Sequence, residues 1–249
     1  MTAARAIAMR GLRLAAVLIL AATALAGRPD PAAAAQEEEA TIFTFFEAEQ
    51  LEYRSGRGND RFSWDAQGWI GGDYDKLWFK TQGDRVIDGS LQAAELQLLY
   101  SRAVTAFWDL QVGGRYDPKP EPSRGFGVVG IQGLAPYFFE LDAAAFVSDE
   151  GDLSARIEAA YELLVTQRLI LKPSIELNFA AQEVEKLAIG SGLSEVEAGL
   201  RLRYEIVREF APYVGIVWER KVGRTADFAR RGGKDAGESR FVTGLRVWF

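Results

Sequence analysis

The chain has 249 residues, a formal net charge of −6, no cysteine and no histidine. An acidic balance without a basic stripe argues against a nucleic-acid partner, and the missing residue types exclude disulfides, thiolate metal sites and the commonest general base. Mean hydropathy is −0.07 and no internal run reaches the roughly 20 apolar residues of a membrane helix, but alternating strands average out over such a window, so a membrane barrel stays open.

In chain order, residues 1–35 read as a secretory signal peptide. Arg5, Arg10 and Arg13 form a basic start, residues 14–26 a short apolar core, and Ala24-Leu25-Ala26 and Ala33-Ala34-Ala35 are two small-residue cleavage sites. Cleavage is expected after Ala26 or Ala35, and both methionines, Met1 and Met9, lie within the leader. Residues 36–43 (QEEEATIF) form a short acidic lead-in, expected to be periplasmic, and 44–249 form the domain itself.

From Thr44 onwards the pattern is of short strand-like runs, with no helical period and no linker. They fall at 44–55, 62–71, 74–82, 91–101, 106–116, 126–133, 137–147, 153–166, 168–180, 194–206, 212–222 and 238–249, which makes about twelve. The clearest hairpin is 198–223. In its first arm Arg201, Arg203 and Glu205 alternate with Leu200, Leu202, Tyr204 and Ile206. In its second, Val214, Ile216 and Trp218 oppose Val217, Glu219 and Lys221. A side-chain period of two puts charged and apolar groups on opposite faces of a strand. The connections are expected to alternate in length. Short ones fall at 71–73, 102–105, 134–136, 167 and 207–211, and longer Gly-, Asp-, Arg- and Pro-rich ones at 56–61, 83–90, 117–125, 148–152, 181–193 and 223–237. Short turns at one end and longer loops at the other belong to an antiparallel transmembrane barrel of the outer membrane of a Gram-negative cell. An even strand number also brings both ends of the domain to the same, periplasmic side.

The last strand adds a second signal. Phe241, Leu245, Val247 and Phe249 share one face, opposite Arg240 and Arg246. An alternating final strand that ends in Phe matches the recognition signal of the outer-membrane assembly machinery, which makes Phe249, Val247 and Leu245 its expected contacts.

Carried along the chain, the same period predicts the inner wall. It comprises Glu95 and Gln97; Asp109, Gln111 and Arg115; Glu140 and Asp142; Arg156, Glu158 and Glu162; Lys172, Glu176 and Asn178; Arg201, Arg203 and Glu205; Glu219 and Lys221; Arg240 and Arg246. Leu96, Leu98, Leu110, Val112, Phe139, Leu141, Ile157, Leu163, Ile175, Leu177 and Phe179 face lipid. A Lys or Arg at mid-membrane on that face costs about 2–4 kcal/mol, so one slipped residue would be expensive throughout. Trp78, Trp108, Tyr100, Tyr116, Tyr137, Tyr204, Tyr213 and Trp218 are placed in aromatic girdles or on the outer face. Both charge signs inside point to cross-bracing ion pairs in a narrow lumen rather than a wide pore of one sign.

The segments 64–83, 98–117, 128–147, 161–173 and 199–223 resemble the copper resistance protein B family, with similarity running from Phe46 to Phe249. The resemblance implies an outer-membrane protein of bacterial copper resistance, linked to copper binding and homeostasis, that works beside a periplasmic multicopper oxidase. Members of that family often carry a Met- and His-rich segment ahead of the barrel, reduced here to QEEEATIF. Cu(I) prefers sulfur ligands and Cu(II) imidazole, whereas the carboxylates left after the leader suit harder ions. The metal candidates are Asp73, Asp75, Asp109, Asp117, Glu140 and Asp142, each also readable as a solvated turn or an ion pair. A non-catalytic barrel that passes metal or small cations is the leading expectation. A general diffusion or structural barrel fits every physical signal equally well. An enzyme would have to work by carboxylates alone.

Overall fold

A computed structural model describes residues 41–249, and the signal-peptide reading lies outside them. Residues 42–249 form one compact unit. Its strands are β1 (Phe43–Gly56), β2 (Arg61–Gly71), β3 (Asp75–Val86), β4 (Leu91–Ala103), β5 (Trp108–Lys119), β6 (Arg124–Ala135) and β7 (Phe139–Ser148). There follow β8 (Leu153–Ala160), β9 (Leu163–Leu164), β10 (Leu169–Ala180), β11 (Gly192–Tyr204), β12 (Phe210–Lys221) and β13 (Gly237–Trp248).

Each strand pairs antiparallel with the next, except that β8 and β9 both pair with β10, and the ring closes where β1 meets β13, from Glu47 opposite Trp248 to Gly56 opposite Arg240. Phe46 and Phe249 exchange backbone hydrogen bonds at that seam. β8 and β9 are two pieces of one wall strand, so twelve staves make the barrel. Pro173 of β10 causes the break: it accepts from the Tyr161 N–H at 3.1 Å but has no N–H to return. Strands of about 12 residues rise ~40 Å along their own length and, tilted by ~40°, cross ~30 Å, which is the thickness of a bilayer core.

The outer wall is apolar. Leu96, Leu98, Phe139, Ile157, Leu163, Ile175, Val214 and Ile216 are exposed there, and Leu110, Val112, Leu141, Leu177 and Phe179 are partly exposed. Among the described residues no helix is long and apolar enough to cross a membrane, which says nothing against a barrel.

The twelve staves fall where the period of two puts them, but the loop sorting is weaker than expected. At one mouth the connections are 72–74, 104–107, 136–138, 165–168 and 205–209; this is the turn mouth, where β1 begins and β13 ends. At the other, the expected long loops shrink to four residues at 57–60, 87–90, 120–123 and 149–152. The Gly- and Asp-rich segments assigned to those loops are strand ends whose polar groups point inward. Asp84, for example, takes Arg61 Nη1 at 3.0 Å and the Ser63 hydroxyl at 3.0 Å. Only 181–191 and 222–236 are long, and the second holds α1 (Gly223–Arg231), a helix that the sequence reading lacks. Its one-turn face of Thr225, Ala226 and Ala229 is buried. Gly190 lets it approach closely: its N–H donates to Thr225 Oγ1 at 2.9 Å, and a Cβ there would stand 2.7 Å from the Thr225 nitrogen. The mouth beside α1 is the helix mouth.

Candidate functional site

The lumen is a meshwork of ion pairs that run between strands far apart in the ring. Its most enclosed charged group among the described residues is Glu52 of β1, which has no exposed surface. It accepts from Arg54 Nε at 2.7 Å, from Arg201 Nε and Nη2 at 3.0 and 2.9 Å, and from the Tyr213 hydroxyl at 3.0 Å. Arg54 goes on to Glu197 at 3.1 Å and Glu219 at 2.8 Å.

A second knot centres on Glu95 of β4, which takes Arg115 Nη2 at 2.8 Å and Arg156 through Nη1 at 3.2 Å and Nη2 at 2.9 Å. Arg115 also holds Asp117 at 2.8 Å and lies over the rings of Phe126 and Phe146, 5.0 and 4.7 Å from their centroids. Lys172 ties β10 to β1 and β7 through Glu49 at 2.7 Å and Glu140 at 3.1 Å. Lys80 meets Asp142 at 2.5 Å, Lys76 meets Asp109 at 3.5 Å, and Arg203 meets Glu162 at 2.7 Å and Glu205 at 3.5 Å. Arg246 meets Glu47 at 2.5 Å and Glu49 at 3.2 Å, and Arg240 meets Glu238 at 2.6 Å. Glu158 and Glu176 lie 3.9 and 3.5 Å from Arg156.

Among the described residues, two cavities follow one another within this mesh. The larger, about 400 Å³, runs toward the turn mouth past Gln132, Glu140 and Lys172; the smaller, about 250 Å³, runs toward the helix mouth past Arg54, Arg115 and Asp117. Gln50, Asp65, Gln82, Glu95, Arg156, Glu176 and Glu197 line both and form the waist between them. Nine carboxylates line the larger cavity, from Glu47, Glu49, Asp65, Glu95, Glu140, Asp142, Glu158, Glu176 and Glu197. Five cations answer them: Lys80, Arg156, Lys172, Arg201 and Arg246. The site can therefore attract cations and order water, and its crossing ion pairs narrow the path.

The family profile described as "Copper resistance protein B precursor (CopB)" matches residues 42–249. The chain belongs to the copper resistance protein B family. It is 44% identical over 214 residues to the copper resistance protein B homolog of Pseudomonas syringae pv. tomato, covering 86% of this chain and 72% of that one. It is 46% identical over 201 residues to copper resistance protein B of Escherichia coli, covering 81% and 68%. Among solved structures the NanC porin superposes with a TM-score of 0.54 at 12% identity, over 82% of this chain and 99% of that chain. That likeness concerns the fold, an outer-membrane-type barrel.

The copper ligands that a member of this family invites can be tested against the side chains present. Asp109, Asp117, Glu140 and Asp142 each face a Lys or Arg. Asp73 and Asp75 sit in the exposed 72–74 turn and at its edge, where Asp75 accepts from the Tyr100 hydroxyl and Arg102 lies 3.8 Å away. Among the described residues no three His, Cys, Asp or Glu side chains converge on a point that could hold a metal ion. Oxygen donors already engaged by cations do not fit a tight copper site.

Two girdle assignments are corrected. Trp78 and Tyr213 point into the barrel, 6% and 5% exposed, whereas Tyr100, Tyr116, Tyr137, Tyr204 and Trp218 are exposed and Trp108 is partly so. Trp78 packs with Leu99, Val128 and Phe146 in an apolar patch of the inner wall, and its indole N–H donates to Gln67 at 3.3 Å. Tyr213 packs with Val217 and Val242 and reaches Glu52.

The inner groups of β1 to β3 were missed altogether: Glu47, Glu49, Gln50, Glu52, Arg54, Asp65, Lys76 and Lys80. A β-bulge between Ala48 and Leu51 explains the loss on β1. Glu47 faces inward ahead of it, Glu49 and Gln50 within it, and Glu52 and Arg54 beyond it, so the period breaks in mid-strand. On β2 the alternation of Ser63, Asp65 and Gln67 was available as a signal.

Proposed function

We propose that the barrel lies in the outer membrane and gives small cations, copper ions in the setting of its family, a passage that does not hold them tightly. The observation that carries this reading is the charge of the lumen, where nine acids answer five bases around the larger cavity. Within a low-dielectric wall such an excess lowers the energy of a passing cation and raises that of an anion. The apolar outer wall supports placement in a membrane. A donor set of carboxylates, amides and hydroxyls supports transit over storage. The missing histidine supports a non-catalytic role.

In this reading the leader exports the chain, and the assembly machinery recognises Leu245, Val247 and Phe249. Tight copper ligands then belong to a partner, such as a periplasmic multicopper oxidase. One observation favours the alternative, a general diffusion or structural barrel without metal preference: the waist is crossed by Arg156 to Glu95 and by Arg54 to Glu197.

The purified barrel in a planar bilayer under a salt gradient separates the two. A reversal potential of cationic sign, with copper carried in the same direction, is the expected result, together with copper hypersensitivity of a strain that lacks the gene. A barrel without charge preference, in a strain that grows normally in copper, sinks the first reading.

A further inference from the structure

At the turn mouth every connection carries an exposed apolar side chain. Tyr74, Phe107, Tyr137, Phe138, Val165 and Val207 stand one or two to a turn, 54% exposed or more, around the whole circumference. The six connections at the helix mouth carry one exposed large apolar residue among them, Ile87. The rim is continuous with the apolar outer wall, since Phe79, Leu98, Phe139 and Val214 are exposed on the strands beside it.

The turn at 136–138 is the most telling. Tyr137 and Phe138 have φ of 67° and 65°, a left-handed conformation that bulky side chains rarely adopt, and they are 82% and 75% exposed. A strained backbone that displays two rings in the open is a pointer to function. Exposed charges of both signs stand among the apolar groups: Arg102, Arg168 and Arg208, with Asp73, Asp75 and Glu209.

We propose that the turns themselves are immersed in the inner leaflet, at the boundary between acyl chains and phospholipid headgroups, so that this mouth opens flush with the membrane surface instead of on a collar above it. Three features select lipid over a protein partner. The apolar groups encircle the barrel, whereas a protein docked on the mouth would need one side. They continue a surface that the fold already gives to lipid. Aromatic rings interspersed with charged side chains of both signs match the zwitterionic headgroups and glycerol esters of that boundary. The inference rests on the membrane placement proposed above.

Because the chain has no cysteine, single-cysteine variants carry one probe each. Phe107→Cys, Tyr137→Cys, Val165→Cys and Val207→Cys would be labelled with an environment-sensitive fluorophore and refolded into phosphatidylethanolamine–phosphatidylglycerol vesicles. Refolding is verified by the gel-mobility change on boiling. Leu98→Cys and Ile216→Cys report the outer wall, and Asp88→Cys and Ser123→Cys the helix mouth. At the rim, quenching by lipid nitroxides near the headgroup and little quenching by aqueous iodide is the expected result. Wall probes quenched by lipid with rim probes quenched by iodide would overturn the immersed rim and leave the membrane placement standing. Wall probes quenched by iodide would overturn both. Rim probes shielded from both quenchers would mean that protein covers the rim, which also overturns the proposal.

Discussion

Replacing Glu52 tests whether the crossing ion pairs hold the barrel together. In Glu52→Gln, Arg54 keeps Glu197 and Glu219 at 3.1 and 2.8 Å, so its charge stays answered. Arg201 does not fare as well. Glu52 is its one carboxylate partner among the described residues, and the substitution leaves the guanidinium only neutral acceptors: the new amide oxygen at position 52, the Gln50 amide oxygen at 3.0 Å and the Ser174 hydroxyl at 3.3 Å. The side chain is 7% exposed, so water cannot take the place of the acid. Leaving one partner of a buried pair uncompensated costs about 3–5 kcal/mol. The neutral acceptors that remain put the expectation near the lower end, ~3 kcal/mol. Removing both charges in Glu52→Gln/Arg201→Met should restore most of the loss, so the cycle should return a coupling of about 2 kcal/mol. Urea unfolding of the barrel in lipid vesicles, followed by tryptophan emission, gives the midpoints and slopes. If the single variant falls within ~0.5 kcal/mol of the parent, or the double variant costs the sum of the two, the meshwork does not brace the wall.

Three further outcomes follow from the same geometry. Arg156→Gln removes the waist's cation, which touches Glu95 at 2.9 Å; single-channel recording should show higher conductance and a shift toward cations, and an unchanged channel would mean that the waist does not limit passage. Gly244→Ala places a Cβ 2.6 Å from the Tyr213 ring and 2.8 Å from the Glu52 Cβ, so the ring must leave its bond to Glu52, for a loss of about 1–3 kcal/mol by urea midpoint. In the 149–152 turn the Gln182 amide, with Arg124 beside it, holds the Asp152 carboxyl below its ordinary range. A lowered folded-state value stabilises above the unfolded value of about 4 and is lost as pH falls through the folded one, so protease cleavage of this turn should rise on acidification below pH ~4 in the parent and be less acid-sensitive in Asp152→Asn.

Most of the wall was legible because a strand has a period of two and the two faces of this wall demand opposite chemistry. Alternations such as Leu200–Glu205 and Val214–Glu219 specify strand, register and outward face at once. The number of staves, the even closure and the inner positions of Glu95, Arg156, Arg201 and Arg246 all come from that local rule. Family membership was legible as well, because long unbroken segments carry it. What the period could not reach depends on contacts between distant strands. The bulge in β1 breaks the alternation in mid-strand, so Glu52 and Arg54, the centre of the tightest network, look like surface residues until Arg201 and Tyr213 arrive from β11 and β12. Trp78 and Tyr213 turn inward on the same period, Trp78 with Lys76 and Lys80 and Tyr213 with Val217 and Glu219, and each finds a polar acceptor there, Gln67 and Glu52, which an aromatic side chain by itself does not announce. The helix over residues 223–231 packs its small face beside Gly190 of the 181–191 connection, a contact between segments distant in sequence. Whether a carboxylate is free or already held by a cation is likewise decided by which staves face one another, and only closing the ring brings Arg156 to Glu95 and Lys172 to Glu49.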